Sequence, residues 1–139
     1  MVLNIIKLCV GVSEIDELAV SQNKRLKRGE ELFHTTRMMP RRQSEVLDGG
    51  SLYWVIKGSV QVRQLITDIV PIVSEDGIRR CRLMLHRELI ATRPQPRRPF
   101  QGWRYLKPDD APVDIGLYDR NNQDLPPSMR AELVELGLL

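Results

Sequence analysis

A long hairpin of alternating residues in the middle of the chain constrains the fold more than any other feature. Leu52 to Lys57 alternates between two faces, as a strand requires. Gly58 then marks a tight turn or bulge, and Val60 to Val73 continues as a long strand. The turn Ser74 to Gly77 leads into a return strand, Ile78 to His86. The middle of the chain is therefore predicted to be antiparallel sheet.

Helices and further strands are predicted on both sides of this hairpin. Ser13 is expected to cap a helix, because Asp16 follows three residues later and an apolar stripe continues to Leu26. Gly29 ends that helix. The other predicted elements are a strand over Val2 to Val10, a strand over Leu32 to Met39, a short helix over Arg41 to Leu47, an extended crossing segment over Thr92 to Pro112 and a terminal helix over Met129 to Leu136.

This order of elements predicts an α+β fold, in which helices flank a curled antiparallel sheet. Gly58 and Gly77 supply the sharp bends that closure into a small pseudo-barrel requires. Residues 1–114 are predicted to form a single α+β domain. Residues 115–139 are predicted to be an acidic C-terminal extension that carries the terminal helix.

The length of 139 residues suits one domain with a sizeable core. No apolar run approaches the roughly 20 residues that a membrane span needs. Met1 to Val12 is apolar but lacks a basic n-region and a small-residue cleavage site, so it is interpreted as a strand. Cys9 and Cys81 sit among apolar neighbours, as is typical of reduced, buried thiols. We expect a cytoplasmic protein that does not bind membranes.

The net charge of +3 conceals a strong segregation of charge along the chain. Arg79 to Lys107 holds nine basic residues and one acid, and Lys24 to Arg42 holds seven basic residues and two acids. After Pro108 the sign reverses, with seven acids and two arginines. Arginine dominates over lysine and suits bidentate contacts to phosphate. An anionic partner is favoured; the alternative is that the acidic tail folds back and neutralises the basic surface.

The segment Arg97 to Pro108 interleaves cationic and aromatic side chains between prolines. Such a combination can clamp phosphates and stack on bases. We therefore predict a module that binds RNA or another nucleic acid. Trp103 is as well suited to being a local packing plug as a stacking platform. The predicted contacts are Arg37, Arg41, Arg42, Arg97, Arg98, Trp103, Arg104, Tyr105 and Lys107.

Two other classes of function stay open on the sequence. The first is a protein-interaction module or homo-oligomer in which Phe100, Trp103 and Tyr105 form the hot spot, since aromatic residues and arginine serve both uses. The second is an enzyme that acts on a nucleotide through His34 and Arg37. Phosphate binding would weaken steeply with salt, whereas an aromatic hot spot would persist.

A pocket is considered around three residues, His34, Tyr53 and Lys57. His34 lies in a polar cluster near a strand, although a lone strand histidine is more often a hydrogen-bonded structural residue. Neither histidine has a second ligand at metal spacing, and no nucleophile motif surrounds Ser51. We predict no catalytic residue, no metal site and no cofactor.

Three motifs are similar to those of a known family. They are HTTRMMP at His34 to Pro40, DGGSLYWVIKG at Asp48 to Gly58 and RRPFQGWRYLKP at Arg97 to Pro108. The chain from about Leu3 to Asp114 resembles a domain-of-unknown-function family of small conserved bacterial proteins, associated chiefly with alphaproteobacteria. The resemblance implies no established activity.

A weaker resemblance is to the PUA-like barrels, which include the ASCH, EVE and YTH domains. It is carried by the glycine-bounded strand Gly50 to Gly58 and by the hairpin at Gly77. The resemblance implies a small barrel that binds RNA or modified bases in a cleft lined by aromatic and basic side chains. It is an analogy of fold, and fold does not fix function.

Overall fold

The computed structural model describes residues 2–118, which form one mixed sheet of eight strands with two helices. The strands are β1 (Asn4–Leu8), β2 (Phe33–Thr36), β3 (Ser51–Ile56), β4 (Ser59–Val73), β5 (Arg79–Leu85), β6 (Ile90–Pro96), β7 (Trp103–Leu106) and β8 (Asp114–Leu117). The helices are α1 (Ile15–Lys27) and α2 (Gln43–Val46), and a 3₁₀ turn covers Pro108–Asp110. The fold is mostly sheet with few helices, and an α+β class fits this content.

The central hairpin is confirmed, and its first strand organises the sheet. The first half of β4 pairs with β3 along one edge and with β6 along the other, while its second half pairs with β5. The ladder between β4 and β5 shifts register between Ile66 and Asp68. Such an irregularity bends a strand and increases its twist. One long, bent strand thus connects both parts of the sheet.

The prediction of a wholly antiparallel sheet is wrong at one pair of strands. β1 lies parallel to β3, with Ile5 opposite Leu52. The connection between them carries α1, β2 and α2, so it is long enough to return the chain to the end where β1 began. The buried Asn4 side chain fixes this arrangement, because its Oδ1 accepts a hydrogen bond of 2.9 Å from the Ser51 backbone N–H. The resulting order is β2-β5-β4-β3-β1-β7, with β6 beside β4 and β8 beside β6.

The stretch expected to be a crossing segment, Thr92 to Pro112, joins the sheet instead. It contains most of β6 and all of β7. Its prolines suggested a segment without the hydrogen-bonded pairing of a sheet. However, the register of β6 against β4 shifts between Val60 and Val62. Prolines are tolerated in a strand at such irregularities. The predicted boundary between residues 114 and 115 falls within β8. The predicted terminal helix, Met129 to Leu136, lies outside the described residues.

Apolar side chains cover both faces of the sheet. On one face lies the main core cluster, against which α1 packs; its fully buried members include Ile5, Leu52, Ile56, Val62, Cys81 and Leu83. On the opposite face lies a smaller second cluster of Ile6, Tyr53, Val55, Val60 and Leu106. β3 is consequently buried at every position. Trp54 belongs to the main cluster and is 4% exposed, so its predicted place in the core is confirmed.

Helix α1 presents the predicted apolar stripe to the sheet, with Leu18 and Gln22 among its buried residues. The predicted N-cap is wrong. Glu14 occupies that position without a side-chain hydrogen bond, and the Ser13 hydroxyl bonds instead to the Glu17 carboxylate at 2.6 Å. Gly29 follows the helix with φ of 75°, in the left-handed region that glycine adopts at low cost.

A buried amide pair ties α1 to β4. The Gln22 and Gln64 side chains exchange two hydrogen bonds, of 2.9 and 2.8 Å. Gln64 Oε1 also accepts from Trp54 Nε1 at 3.0 Å, and Gln64 Nε2 also donates to the His86 carbonyl at 3.0 Å. Gln64 therefore uses both of its donors and both acceptor positions while it is fully buried.

Candidate nucleic-acid interface

The aromatic pair of β7 holds the loop that follows β2. Trp103 Nε1 donates to the Met38 carbonyl at 2.8 Å, and the Arg42 backbone N–H donates to the Tyr105 hydroxyl at 3.1 Å. The two rings meet edge to face with centroids 4.9 Å apart, a favourable arrangement for aromatic pairs. We call the contact between residues 37–42 and β7 the junction. It brings together two cation-rich segments that are more than sixty residues apart in sequence.

The cations of the 37–42 loop stand at the surface of the junction. Arg37 and Arg41 are exposed. Arg42 lies with its guanidinium 5.7 Å from the centroid of the Tyr105 ring and forms hydrogen bonds to the Glu45 carboxylate. Those hydrogen bonds raise the pKa of Arg42 and lower the pKa of Glu45. Arg42 is therefore already partnered, whereas the exposed Arg41 forms no side-chain hydrogen bond or ion pair within residues 2–118.

Of the cations in the segment Arg97 to Pro108, Arg104 lies on β7 and Lys107 directly follows it. Tyr105 and Trp103 pack against the main cluster, and Arg104 alternates with them, its guanidinium 5.4 Å from the centroid of the Phe100 ring. Phe100 itself packs against the second cluster, on the opposite face of the sheet. Lys107 is exposed and follows the end of β7 that carries Tyr105.

Arg97 and Arg98 lie near the turn between β3 and β4. The Arg97 backbone N–H donates to the Gly58 carbonyl at 2.9 Å, and its guanidinium is bound by Gln95 Oε1. Lys57, which precedes Gly58, is exposed and has φ of 53°. Lys57 is thus near the Arg97 end of the surface and not in a pocket with His34.

His34 and Tyr53 are on opposite faces of the sheet. His34 contacts Trp54 in the main cluster, edge to face, with ring centroids 5.0 Å apart. Its Nε2 atom is buried and has no hydrogen-bond partner within residues 2–118. Burial lowers the pKa of His34 to about 4, with further lowering from Lys7 and Arg25. Tyr53 is buried in the second cluster, where desolvation raises its pKa. The structure therefore does not bring His34, Tyr53 and Lys57 together.

Both thiols are held in their neutral form. Burial raises the pKa of Cys9 to about 11. Cys81 is fully buried, and desolvation raises its pKa although Thr36 Oγ1 lies 3.1 Å from its sulfur. Thiolate is the reactive form of cysteine, so this environment disfavours nucleophilic chemistry at either sulfur. Both cysteines are free, as the sequence predicted.

Within residues 2–118, one groove beside the sheet includes a predicted site residue and another does not. Arg37 lines a groove of about 420 Å³ at the free end of the β4–β5 hairpin, together with Arg79 and Arg80, which the sequence did not single out. The other groove, of about 660 Å³, lies between α1 and the start of β6 and contains none of the predicted residues.

The described part of the chain contains no cluster of three potential metal ligands. Within residues 2–118 no helix has the length and apolar content needed to cross a membrane.

The fold and the junction define a small mixed-sheet protein with a cationic surface built around a partly buried aromatic pair. A family model described as a protein of unknown function, DUF1489, matches residues 5–139. The chain therefore belongs to the DUF1489 family, which confirms the resemblance to a domain of unknown function and extends it through residues 115–139. Neither a curated protein nor a solved structure shows significant similarity to the chain.

Proposed function

We propose that this protein binds single-stranded RNA across the junction. The observation that carries the proposal is a pair of hydrogen bonds that holds the basic 37–42 loop against β7: Trp103 donates to the Met38 carbonyl, and Tyr105 accepts from the Arg42 backbone N–H. Sequence alone offered two separate cationic segments; the fold makes them neighbours. Cations gathered on one side of a protein can bind several phosphates of one nucleic-acid backbone.

An apolar side chain among the cations favours a single strand over a duplex. Met38 is 67% exposed between Arg37 and Arg41, beside the Trp103 indole that bonds to its carbonyl. Bases that are splayed out of a single strand can pack on such apolar and aromatic surface while arginines contact the phosphates. A duplex hides its base faces and would leave Met38 exposed to water.

The protein-interaction alternative has less support from the geometry. Phe100 packs against the second cluster, whereas Trp103 and Tyr105 pack against the main cluster. The three aromatics therefore do not form one contiguous hot spot. The enzyme alternative needs a cleft that joins His34 to Arg37, but the groove beside Arg37 is not lined by His34. The weaker resemblance to PUA-like barrels stays a prediction of fold, carried by the strand Gly50 to Gly58 and the hairpin at Gly77.

Fluorescence anisotropy of the full chain with a single-stranded RNA, a structured RNA and a duplex DNA tests the proposal. At about 50 mM salt we expect single-stranded RNA to bind most tightly, and at about 200 mM salt we expect its affinity to fall steeply. Replacing both Arg41 and Lys107 with alanine removes two exposed cations that flank the junction. Loss of two phosphate contacts reduces the slope of log K against log salt by about 1.4 for a single strand.

The matched control is the double replacement of Lys27 and Arg28 with alanine. It removes the same charge from exposed positions at the end of α1, away from the junction. We expect this control to bind RNA with a slope close to that of the unmodified protein. Equal weakening in both double variants would refute the junction as the binding surface. No binding of any nucleic acid at the lower salt concentration, by a folded sample, would refute nucleic-acid binding itself.

A further inference from the structure

The groove at the free end of the β4–β5 hairpin combines cations with an apolar floor. Its opening lies between the hairpin and the loop that follows β2, and its volume is about 420 Å³. That volume is within the usual range of about 300–1,000 Å³ for small-molecule sites. Its lining includes Arg37, Met39, Pro71, Val73 and Arg79.

The apolar floor exists because the hairpin extends past the core. Along β5, Cys81, Leu83 and Leu85 are buried, and the alternation of a strand puts Arg79 on the same face, one step beyond the last buried residue. Val73 is paired with Arg79 and is 69% exposed. Among the described strands, β4 pairs beyond Leu65 with β5 alone, so its other edge has no partner strand there within residues 2–118. The sheet thus offers apolar surface at this end that residues 2–118 leave exposed.

Two of the three groove arginines are uncommitted. Arg37 and Arg79 are exposed, and neither forms a side-chain hydrogen bond or an ion pair within residues 2–118. Arg80 differs, because its guanidinium bonds to Ser74 Oγ at 3.2 Å and to Asp76 Oδ2 at 3.4 Å. Two unpaired guanidinium groups beside one groove repel each other, and an anion between them would remove that repulsion.

We propose that this groove binds one nucleotide of the RNA, with its phosphate between Arg37 and Arg79 and its base on Met39, Pro71 and Val73. This inference deepens the proposed function and rests on it. Guanidinium groups can bind phosphate oxygens in a bidentate manner, and bases pack on apolar and sulfur-containing side chains. A phosphate alone would not use the apolar floor, and a nucleoside alone would not use the arginines.

Calorimetry of the full chain with adenosine monophosphate, adenosine and inorganic phosphate tests the groove directly. We expect the nucleotide to bind at least about tenfold more tightly than either fragment, because only the nucleotide makes the charged and the apolar contacts together. Alanine at both Arg37 and Arg79 should weaken nucleotide binding by about tenfold or more. The Lys27 and Arg28 double replacement should leave nucleotide affinity unchanged. Inorganic phosphate that binds as tightly as the nucleotide would overturn the proposal, as would unchanged nucleotide affinity in the groove variant.

The same variants separate failure of the groove from failure of the proposed function. RNA binding that depends on Arg41 and Lys107 but not on Arg37 and Arg79 would overturn the groove and leave the junction intact. Nucleotide binding without any RNA binding would refute the proposed function and with it an RNA subsite. An acidic peptide that binds the groove as tightly as an RNA of equal charge would also overturn the inference. Loss of both nucleotide and RNA affinity in the groove variant, with unchanged thermal unfolding, supports it.

Discussion

Replacement of Gln64 by leucine should destabilise this protein more than any other single change of a glutamine in β4. The Gln64 side chain is fully buried, and its four hydrogen bonds reach α1, β3 and the end of β5. Leucine has a similar size and keeps the position apolar, but it can neither donate nor accept. The substitution therefore removes the hydrogen bonds of the Gln64 amide, while the leucine side chain fills most of the space that the glutamine side chain occupied.

The magnitude follows from the groups that lose their partners. The Trp54 indole N–H and the His86 carbonyl are left without a protein partner, and each unsatisfied buried group costs about 1–3 kcal/mol. Gln22 is 9% exposed and recovers part of its hydrogen bonding from water. Burial of the apolar leucine side chain offsets about 1–2 kcal/mol of this cost. We expect a net loss of about 3 kcal/mol in the free energy of unfolding, and a fall in Tm of about 10 °C for a domain of this size.

Urea unfolding monitored by tryptophan fluorescence measures this loss, and Gln61→Leu is the matched control. Gln61 lies on the same strand, is half-buried and donates a single hydrogen bond of 2.8 Å to the Ile56 carbonyl. Its replacement should cost at most about 1 kcal/mol. Combining Gln22→Leu with Gln64→Leu should cost less than the sum of the two single changes, because they break the same pair. Equal costs for Gln61→Leu and Gln64→Leu would show that the buried amide network contributes nothing specific.

Three further predictions concern the junction, the buried histidine and a tight glycine. Trp103→Phe and Tyr105→Phe should each lower the free energy of unfolding by about 1 kcal/mol, since each removes one hydrogen bond to the 37–42 loop but keeps an aromatic ring. The rate of amide hydrogen exchange in that loop should rise in both variants. His34 should titrate by NMR near its lowered pKa of about 4. Because that pKa is lower than in the unfolded chain, the free energy of unfolding should fall as the pH drops from about 6.5 towards 4. His34→Asn should reduce this dependence of stability on pH. Gly50→Ala should lower the urea midpoint strongly, because the new Cβ would lie 2.2 Å from the Leu3 carbonyl oxygen and 2.5 Å from another backbone oxygen.

The hairpin was predictable because its signals are local. Alternation over Val60 to Val73, a turn at Ser74 to Gly77 and alternation on the return place β4 and β5 within one residue of their observed bounds. The parallel pairing of β1 with β3 was not predictable, because the contacts that decide it join residues nearly fifty positions apart, such as Asn4 and Ser51. No local pattern distinguishes that pairing from an antiparallel one.

The candidate site was predictable in composition but not in arrangement. The sequence identified Trp103 and Tyr105 as unusual in a cationic segment, yet their partners are main-chain groups of a distant loop, which carry no sequence signature.

The prediction of a pocket that joins His34 to Tyr53 failed for a different reason. Tyr53 and Trp54 are neighbours on a strand and so face opposite sides, and His34 joined the side of Trp54. Which face β2 would present depended on its register with β5, a long-range property.

The residues of the junction differ in the role we expect of them: some position the 37–42 loop, and others are exposed for contact with RNA. The polar atoms of Trp103 and Tyr105 are bound to the 37–42 loop, and their rings pack against the main cluster, so their first effect is to place that loop. Within the part of the chain that the structure describes, Arg41 forms no side-chain hydrogen bond or ion pair, and it stands exposed at the same place. If RNA binds there, loss of affinity on changing Trp103 should accompany loss of loop order, whereas loss of affinity on changing Arg41 should occur in a fully ordered protein. An affinity loss at Trp103 without any change in hydrogen exchange of the loop would instead make the indole a direct stacking contact, since positioning then could not account for the effect.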